Sequence, residues 1–370
     1  MVKKKLNKKR LIISIVMLLM IIISIVLGVF FSKFTKVSKD STVVEYIVEN
    51  GLGMYQVFDD LESKGLIKSA FALKVYSKIK GGDISLGTYS LSKNMNAIEV
   101  YDVLTEKRNA KGNEVKFTFR EGRNVRQLIS DLTSISDITE EEILTTLSDT
   151  TYLKNLINEY WFLTDDILNK DIYYSLEGYL YPNTYMIYKN SSFKSVVKKM
   201  LDEMDNKLTP YKDKIENSNY TVHELLTLAS IVEQEGPSGT DRYGIAGVFT
   251  NRLNDGWSLG SCVTTYYAAK VNLGEALYQK DIDDCTNKYN TRCMTYIGLP
   301  VGPICNPSID SIVSSLNPTK HNYYYFEADK NNKTYFNETY AGHLETIKRL
   351  EKEGLWNEIQ WFNKWYKTFC

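Results

Sequence analysis

The stretch TVHELLTLASIVEQEG, residues 221–236, decides the fold of this chain. Thr221 and Glu224 have the S/T-x-x-E spacing of a capping box, which marks the start of a helix. The apolar residues that follow cover a broad surface, so we expect this helix to be largely buried. Gly236 and Pro237 predict its end.

Glu233 lies in the last turn of the predicted helix, in register with Ala229 and Leu226, and therefore on an apolar face. A carboxyl group on such a face is costly to ionise. Proteins use this placement to make a general acid that keeps its proton near neutral pH. The pattern alone leaves open a plain helix end with two solvated glutamates, Glu233 and Glu235.

The N-terminal segment has the charge and length of a membrane anchor. Residues 1–10 are strongly basic, and residues 11–31 are apolar apart from Ser14, Ser24 and Gly28. About 20 apolar residues span a bilayer. Because basic residues stay on the cytoplasmic side, we expect a single-pass anchor with the chain after about Lys33 outside the cell. A cleaved signal peptide is the alternative, although no A-x-A site follows.

Composition excludes some partners and favours a disulfide. The 45 basic and 45 acidic residues leave no net charge, so nucleic acid is not expected as a partner.

Four of the five cysteines lie close together in the extracytoplasmic part, where we expect at least one disulfide among them. Their spacing fits no zinc pattern and the three histidines are scattered, so no metal is expected. The clustered cysteines are Cys262, Cys285, Cys293 and Cys305.

An internal repeat relates residues 44–51 to residues 115–122, and Gln56 to Gln127 at the same offset. Each copy alternates apolar and polar residues and then turns at a glycine into a helical pattern, which predicts a strand–turn–helix unit. In the first copy a helix at 69–80, a strand at 88–91 and a helix at 97–106 follow. That copy resembles the LysM-like module, a small β-α-α-β fold associated with glycan chains. Plain α+β spacers are the alternative.

The fold class predicted for the whole chain is α+β. Residues 125–170 are predicted to be helical, with Thr139 starting one helix, and residues 193–208 form another. The tail carries three tryptophans and is predicted to be an amphipathic helix packing on the main domain, with membrane-surface contact as the alternative. The predicted segments are a basic segment 1–10, a transmembrane helix 11–31, a linker 32–42, a LysM-like module 43–110, a strand–helix subdomain 111–170, a main domain 171–350 and a tail 351–370.

Five stretches in the main domain occur in a characteristic order, and the last is followed by ADKNNKTYF, residues 328–336. The five stretches are SLEGYLYPNTY at 175–185, LASIVEQE at 228–235, GVFTNRL at 247–253, YNT at 289–291 and GLPVGPICNPSIDSI at 298–312. Together, behind an anchor and a LysM-like module, they closely resemble the endolytic murein transglycosylases, the MltG or YceG-like family. The resemblance covers residues 44–350.

The resemblance implies a lyase that cuts nascent peptidoglycan strands internally, between N-acetylmuramic acid and N-acetylglucosamine, and so terminates their elongation. The catalytic glutamate of the family carries over onto Glu233. Ordinary glycosidases need two carboxyl groups, but here the C6 hydroxyl of the substrate closes a 1,6-anhydro ring, so one carboxyl group suffices. No cofactor or metal is implied. The implied partners are peptidoglycan strands and, through the shared membrane, peptidoglycan synthases or penicillin-binding proteins.

Other residues carry over from the family segments with open alternatives. Glu177 is a supporting acid, a structural hydrogen-bond acceptor or the true catalyst. Tyr185 and Tyr289 belong to the core or stack on sugar. Glu235 lies about 200° round the helix from Glu233, so it cannot share that role and is expected to anchor the loop after Gly236. The other predicted substrate-binding residues are Asn251, Arg252, Asn290 and Thr291. The predicted turn-shaping residues are Pro182, Pro300, Gly302 and Pro303, and Gly178 carries over from the first family segment.

One segment departs from the family pattern. Where many members read L-Q-S-D-P-T, this chain has LGSCVT at 259–264, with Gly260, Cys262 and Val263 in the changed positions. Any sugar contact made by that Gln or Asp is absent or replaced. The departure keeps open a non-catalytic scaffold that binds glycan. A muramidase-type hydrolase, with Glu177 as second carboxylate, is the further alternative.

Overall fold

Helices dominate a mixed α+β fold in which strands pair two by two, as the sequence predicts. The computed structural model describes residues 8–48, 52–105, 114–189, 191–237, 239–293 and 295–356. Two units of the chain are distinguished. One consists of Met1–Val115 with Tyr188–Ser192, and the other of Lys116–Ile187 with Phe193–Cys370.

The first unit has the predicted order of strand, helix, helix, strand and helix after its N-terminal helix. Strands β1 and β2 pair antiparallel, with Tyr46 opposite Tyr89. Both rings are buried, together with Phe58, Leu61 and Tyr101, in one apolar core. The order of elements is therefore confirmed, while the likeness to glycan-associated modules stays a prediction. The elements are α1 Lys8–Ser32, β1 Val44–Val48, α2 Met54–Ser63, α3 Ala70–Lys80, β2 Gly87–Leu91 and α4 Ala97–Thr105.

Helix α1 coincides with the apolar run near the N-terminus. Within the described residues, no helix combines the length and the hydropathy that crossing a membrane requires. The predicted basic segment and the predicted tail lie mostly outside the described residues.

The second copy of the repeat opens the second unit and is also a strand followed by a helix. Strand β3, Glu114–Thr118, pairs with β4, Thr184–Tyr188, and helix α5, Val125–Ile135, follows a turn. Gln127 explains part of the repeat, because its side chain accepts a hydrogen bond from the backbone N–H of Asn124 at 3.0 Å. Gln56 accepts from Gly53 in the same way at 2.7 Å. The repeated glutamine therefore caps the helix in each copy.

The remaining elements of the second unit are mostly helices, and the helix of residues 222–235 packs against three of them. Thr139 caps the next helix as predicted, accepting from Glu142 N–H at 3.1 Å. The elements are α6 Glu140–Ser148, α7 Thr150–Glu159, a 3-10 helix Asp165–Leu168, α8 Phe193–Leu208, a 3-10 helix Thr209–Tyr211, α9 Lys212–Glu216, α10 Val222–Glu235, α11 Arg242–Asn254, α12 Cys262–Ala268, α13 Gln279–Ile282, α14 Ile309–Leu316, β5 Tyr325–Ala328, β6 Thr334–Asn337 and α15 Tyr340–Lys352.

Helix α10 is the buried helix that the sequence predicts. Its capping box is formed, with Glu224 N–H donating to Thr221 Oγ1 at 3.2 Å and Thr221 N–H to Glu224 Oε2 at 2.8 Å. It ends before Gly236 and packs against α11, α12 and α14. Leu228 and Ile231 of α10 are fully buried in this core. The last turn, with Glu233, is thereby held among three neighbouring helices.

The cysteine cluster contains a disulfide between Cys285 and Cys293. Cys262 is disulfide-bonded as well, whereas Cys305 is free and buried. The prediction of at least one disulfide within this cluster is confirmed.

Candidate active site

Glu233 occupies the last turn of α10 with only 5% of its side chain exposed. Its Oε1 accepts from Arg242 Nη2 at 2.9 Å. Its Oε2 accepts from the Ser308 N–H at 2.9 Å and from the hydroxyls of Ser308 at 2.5 Å and Ser311 at 2.7 Å. The expectation of apolar surroundings is therefore wrong for the carboxylate itself, because α11 and α14 supply polar donors that α10 alone does not reveal.

Arg242 links the buried acid to the protein surface. Its own side chain is 8% exposed. Besides Glu233, it donates to Gly236 O at 2.7 Å, to Ser308 Oγ at 3.0 Å and to Asp310 Oδ2 at 3.2 Å. The Asp310 side chain is 57% exposed. Since a buried charge is tolerated only when it is paired and hydrogen-bonded, Arg242 is the group that permits a carboxylate at this depth.

The N-terminus of α14 is directed at Glu233. Ser308 is the N-cap of that helix, and its hydroxyl accepts from the Ser311 N–H at 3.3 Å. The helix dipole places partial positive charge at this end. The Glu233 carboxylate therefore receives one backbone and two hydroxyl donors from a single helix start.

The turn after β3 closes against the same site through Gly122. Gly122 has a φ of 74°, its carbonyl accepts from Gln234 Nε2 at 2.5 Å, and its N–H donates to Asn306 O at 3.0 Å. A Cβ at this position would lie 3.6 Å from Cγ of Glu233. Glu121, the preceding residue, is exposed. Partial burial raises the pKa of Glu121, and the charge of Glu233 raises it further.

Tyr181, from the predicted family segment 175–185, lies on this side as well. Burial raises the pKa of Tyr181, and the negative charges of Glu121 and Glu233 add to the effect. Thus the Glu233 site combines an acid, a guanidinium, two serine hydroxyls, an aromatic ring and two flanking carboxylates, Glu121 and Asp310.

Glu177 is enclosed elsewhere in the second unit, with 1% of its surface exposed. It accepts from Val125 N–H at 3.0 Å, from Tyr267 OH at 3.0 Å and from Asn306 Nδ2 at 2.9 Å. Burial raises its pKa to about 7. These contacts tie the start of α5 to α12 and to the segment before α14. Of the alternatives for Glu177, they favour the structural hydrogen-bond acceptor.

The buried Glu177 predicts a pH-dependent stability. Because its folded-state pKa of about 7 lies above its ordinary value, the proton it holds stabilises the fold at low pH, and this contribution is lost as the pH rises towards and through about 7. We expect the free energy of unfolding to fall by up to about 3 kcal/mol over this range, and Glu177→Gln to flatten the decline. Urea unfolding from pH 4 to 8 measures this decline in the free energy of unfolding for the wild type and for Glu177→Gln. An unchanged profile in the variant would contradict the prediction, and Glu141→Gln, at an exposed site, is the control.

Glu235 points into a different environment from Glu233, as its position on the helix requires. It accepts from Ser261 Oγ at 2.5 Å. Burial raises the pKa of Glu235, while the charges of Arg252 and Arg292 oppose this rise. Ser261 belongs to the segment that departs from the family pattern, so Glu235 holds that segment rather than the loop after Gly236.

Asn251 and Arg252 fasten the chain before β5 to the end of α11. Asn251 Nδ2 donates to His321 O at 2.8 Å and to Tyr323 O at 2.9 Å. Arg252 Nε donates to Tyr324 O at 2.9 Å. Both side chains are engaged with backbone carbonyls, and their predicted role in substrate binding stays a prediction.

The YNT segment is buried and organises the loop before it. Asn290 Nδ2 donates to Ile282 O and to Asp284 O, each at 2.9 Å. Thr291 Oγ1 lies 2.8 Å from Thr264 Oγ1. The amide and the hydroxyl therefore have protein partners in place of solvent.

The two candidate tyrosines lie in the core. The Tyr289 ring is fully buried and contacts Tyr173, with ring centroids 4.8 Å apart. Tyr185 stacks on Phe117 and donates its hydroxyl to Tyr181 O at 2.6 Å. Of the two interpretations offered by the sequence, these contacts favour the core.

Gly178 shows why two of the family segments occur together. Its φ is 86°, and a Cβ there would lie 2.4 Å from Cβ of Pro303. A side chain at residue 178 would be strained and would also collide with the proline. The EG and PVGP segments are thus packed directly against each other.

Sequence reasoning missed Arg242, Ser308, Ser311 and Glu121. The two serines were visible inside the stretch 298–312, as S-x-x-S at a helix start, but nothing local connects them to Glu233. In the part of the chain that the structure describes, no three His, Cys, Asp or Glu side chains are grouped to hold a metal ion.

The chain is similar to known proteins both in sequence and in structure. The model of the YceG-like family matches residues 46–349. The chain is 32% identical over 316 residues to the endolytic murein transglycosylase of Bacillus subtilis strain 168, covering 84% of this chain and 86% of that protein. It is 33% identical over 299 residues to the protein of the same name from Streptococcus pneumoniae strain D39, covering 76% of this chain.

The chain spans about half, 53%, of the length of that pneumococcal relative. Among solved structures, the crystal structure of a YceG-like protein from Listeria monocytogenes matches with a TM-score of 0.59 and 29% identity. That match covers 82% of this chain and all of the Listeria chain.

Proposed function

The chain belongs to the YceG-like family, and from this premise we propose that it acts as an endolytic murein transglycosylase with Glu233 as the catalytic acid and base. The observation that supports the assignment most is the surroundings of Glu233. A nearly buried carboxylate at a helix end is held by a guanidinium, a helix N-terminus and two hydroxyls. Glu177, the rival candidate, is enclosed by structural donors.

The proposed reaction needs one carboxyl group in two roles. Protonated Glu233 gives its proton to the glycosidic oxygen between N-acetylmuramic acid and N-acetylglucosamine, and the bond from C1 of the muramic acid to that oxygen breaks. The C6 hydroxyl of the same muramic acid then bonds to C1 and returns its proton to the Glu233 carboxylate. The ring closure is intramolecular, which removes much of the entropic barrier. No water is consumed, so the product carries a 1,6-anhydro end.

The serine hydroxyls suit both protonation states of Glu233. A hydroxyl group can donate or accept, so Ser308 and Ser311 can donate to the carboxylate and can accept from the carboxylic acid. Arg242 must loosen its hold on Oε1 for the substrate to approach, and Asp310, already 3.2 Å from its Nη1, offers the alternative partner. The site therefore offers Glu233 hydrogen-bond partners in both protonation states, and it offers Arg242 a second carboxylate, Asp310.

Mass spectrometry of glycan strands incubated with the full-length protein tests the proposal. Anhydro ends are expected. Reducing ends would identify a muramidase-type hydrolase instead, and intact strands would identify a glycan-binding scaffold. Each alternative outcome overturns the transglycosylase assignment.

We propose further that the chain is anchored in the cell membrane by residues 11–31, with the N-terminus in the cytoplasm and the active site outside. The support is the basic cluster followed by the apolar run in the sequence. Protease added to intact protoplasts should then degrade residues 43–370. A protected chain, or a chain released in soluble form, would contradict the anchor.

The first unit is proposed to contact glycan strands, since its order of elements is that of a LysM-like module. Deleting residues 43–110 should weaken binding to purified peptidoglycan, and undiminished binding would contradict this role.

Peptidoglycan synthases or penicillin-binding proteins are proposed as partners because they would share the membrane. Cross-linking in cells tests that association, and failure to recover a synthase with the chain would count against it.

A further inference from the structure

Glu121 is an exposed acid whose position beside Glu233 is fixed through the backbone that follows it. Gly122 is bound on one side by Gln234 and on the other by Asn306. Asn306 also donates to Arg123 O, from its N–H at 3.0 Å and from Nδ2 at 3.1 Å. These bonds anchor residues 122 and 123 to the end of α10 and to the segment before α14. Because Gly122 is anchored against Glu233, the residue before it, Glu121, enters this site directly, and the charge of Glu233 acts on its carboxyl group.

The Glu121 carboxylate has no hydrogen bond and no ion pair with any of the described residues. Arg242 attracts it electrostatically, but the donors of that guanidinium are directed to Glu233, Ser308, Asp310 and Gly236. A surface acid without a partner is ordinary. An acid without a hydrogen-bond partner beside two other carboxylates is repelled by both, and only the distant attraction of Arg242 opposes this repulsion.

The site therefore holds three carboxylates, Glu121, Glu233 and Asp310, around one guanidinium. Such an excess of negative charge is unfavourable until positive charge arrives. Cleavage of a glycosidic bond supplies positive charge, because its transition state resembles an oxocarbenium ion. Groups fixed in advance where charge develops lower the barrier without reorganising during the reaction.

We propose that Glu121 is a second catalytic carboxylate of this site, which faces the bound strand and stabilises the positive charge that develops at C1 of the muramic acid. The inference rests on the proposed function. Glu121 neither takes nor gives a proton in this role, so the ring still closes with Glu233 as the base and the product keeps its anhydro end.

Steady-state kinetics of the full-length Glu121→Gln variant on purified glycan strands tests the role. We expect kcat to fall by about 10²-fold with KM little changed, because the charge acts on the transition state more than on bound substrate. Glu121→Asp should recover part of the loss. Glu141→Gln, which removes an exposed acid of α6 in the same unit, should behave as wild type.

The pH profile separates this role from a structural one. Ionised Glu121 is the active form and its pKa is raised, so wild-type activity should fall as the pH drops through that raised range. Glu121→Gln should lack this part of the acid limb while its thermal unfolding stays at the wild-type temperature. A kcat equal to that of Glu141→Gln, or an unchanged acid limb, overturns the inference.

The two proposals fail in distinguishable ways. Wild-type protein that forms no anhydro ends overturns the transglycosylase function and the role of Glu121 together. Wild-type protein that forms them, with undiminished kcat in Glu121→Gln, overturns the role of Glu121 alone.

Discussion

Glu233→Gln is expected to abolish the formation of anhydro-ended strands while the chain stays folded and still binds glycan. Loss of a general acid–base group typically costs about 10²–10⁴-fold in rate, and here one residue serves both steps. Glutamine keeps the shape of the side chain and an acceptor for Arg242 or Ser308, but it has no transferable proton. Mass spectrometry of digested strands, with circular dichroism as a check on folding, measures the effect.

Glu235→Gln is the matched control, because Glu235 lies on the same turn of α10 and bonds to Ser261 instead. It should reduce activity far less. Glu177→Gln should be intermediate, since it loosens contacts that hold α5 and α12. Should Glu233→Gln keep cutting strands while Glu177→Gln does not, the catalytic assignment moves to Glu177.

Arg242→Leu is expected to destabilise the second unit by about 3–5 kcal/mol, which is typical when one partner of a buried ion pair is removed. The Glu233 carboxylate would be left nearly buried without its cation, and Gly236 O would lose its donor at 2.7 Å. Urea unfolding followed by tryptophan fluorescence should show a lower midpoint with little change in slope. Activity should fall as well, because the carboxylate is no longer fixed.

The same substitution in a Glu233→Gln background should cost clearly less, since the neutral amide leaves no uncompensated charge. The difference between the two losses is the coupling energy of the pair. Strictly additive losses would show that Arg242 and Glu233 do not act as a pair. Lys214→Leu, at an exposed position of α9, serves as the control for loss of positive charge.

The sequence predicts helix starts and the order of helices and strands correctly, because these features depend on residues close together in the chain. The capping box of Thr221 and Glu224 and the N-cap Thr139 depend on residues three positions apart. The repetition of Gln56 and Gln127 is also visible in the sequence, whereas their capping role comes from the structure. Helix–strand order follows from periodicity, which is also a local property. The clustering of four cysteines and their expected location outside the membrane predict a disulfide among them, but they leave open that Cys285 pairs with Cys293.

The composition of the site was not predictable in the same way. Arg242 is nine residues and Ser308 is 75 residues from Glu233, so no pattern within one helix reveals them. Ala229 and Leu226 form only the α10 side of the surroundings of Glu233, whereas α11 and α14 bring polar donors to its carboxylate. Likewise, the polar residues of the YNT segment resemble binding residues in the sequence, but their partners are carbonyls and hydroxyls of the protein.

The hydrogen bond from Gln234 to Gly122 has a practical consequence for anyone who wishes to shorten this protein. A fragment starting at residue 171, where the sequence suggests the main domain, lacks Gly122 and also Val125, which donates to Glu177. The contact of α10 with Gly122 and the contact of Glu177 with Val125 would both be removed. A loss of activity in such a fragment would be mistaken for a need for the proposed anchor or the first unit. The shortest sensible truncation starts at Glu114, so that strand β3 is kept whole.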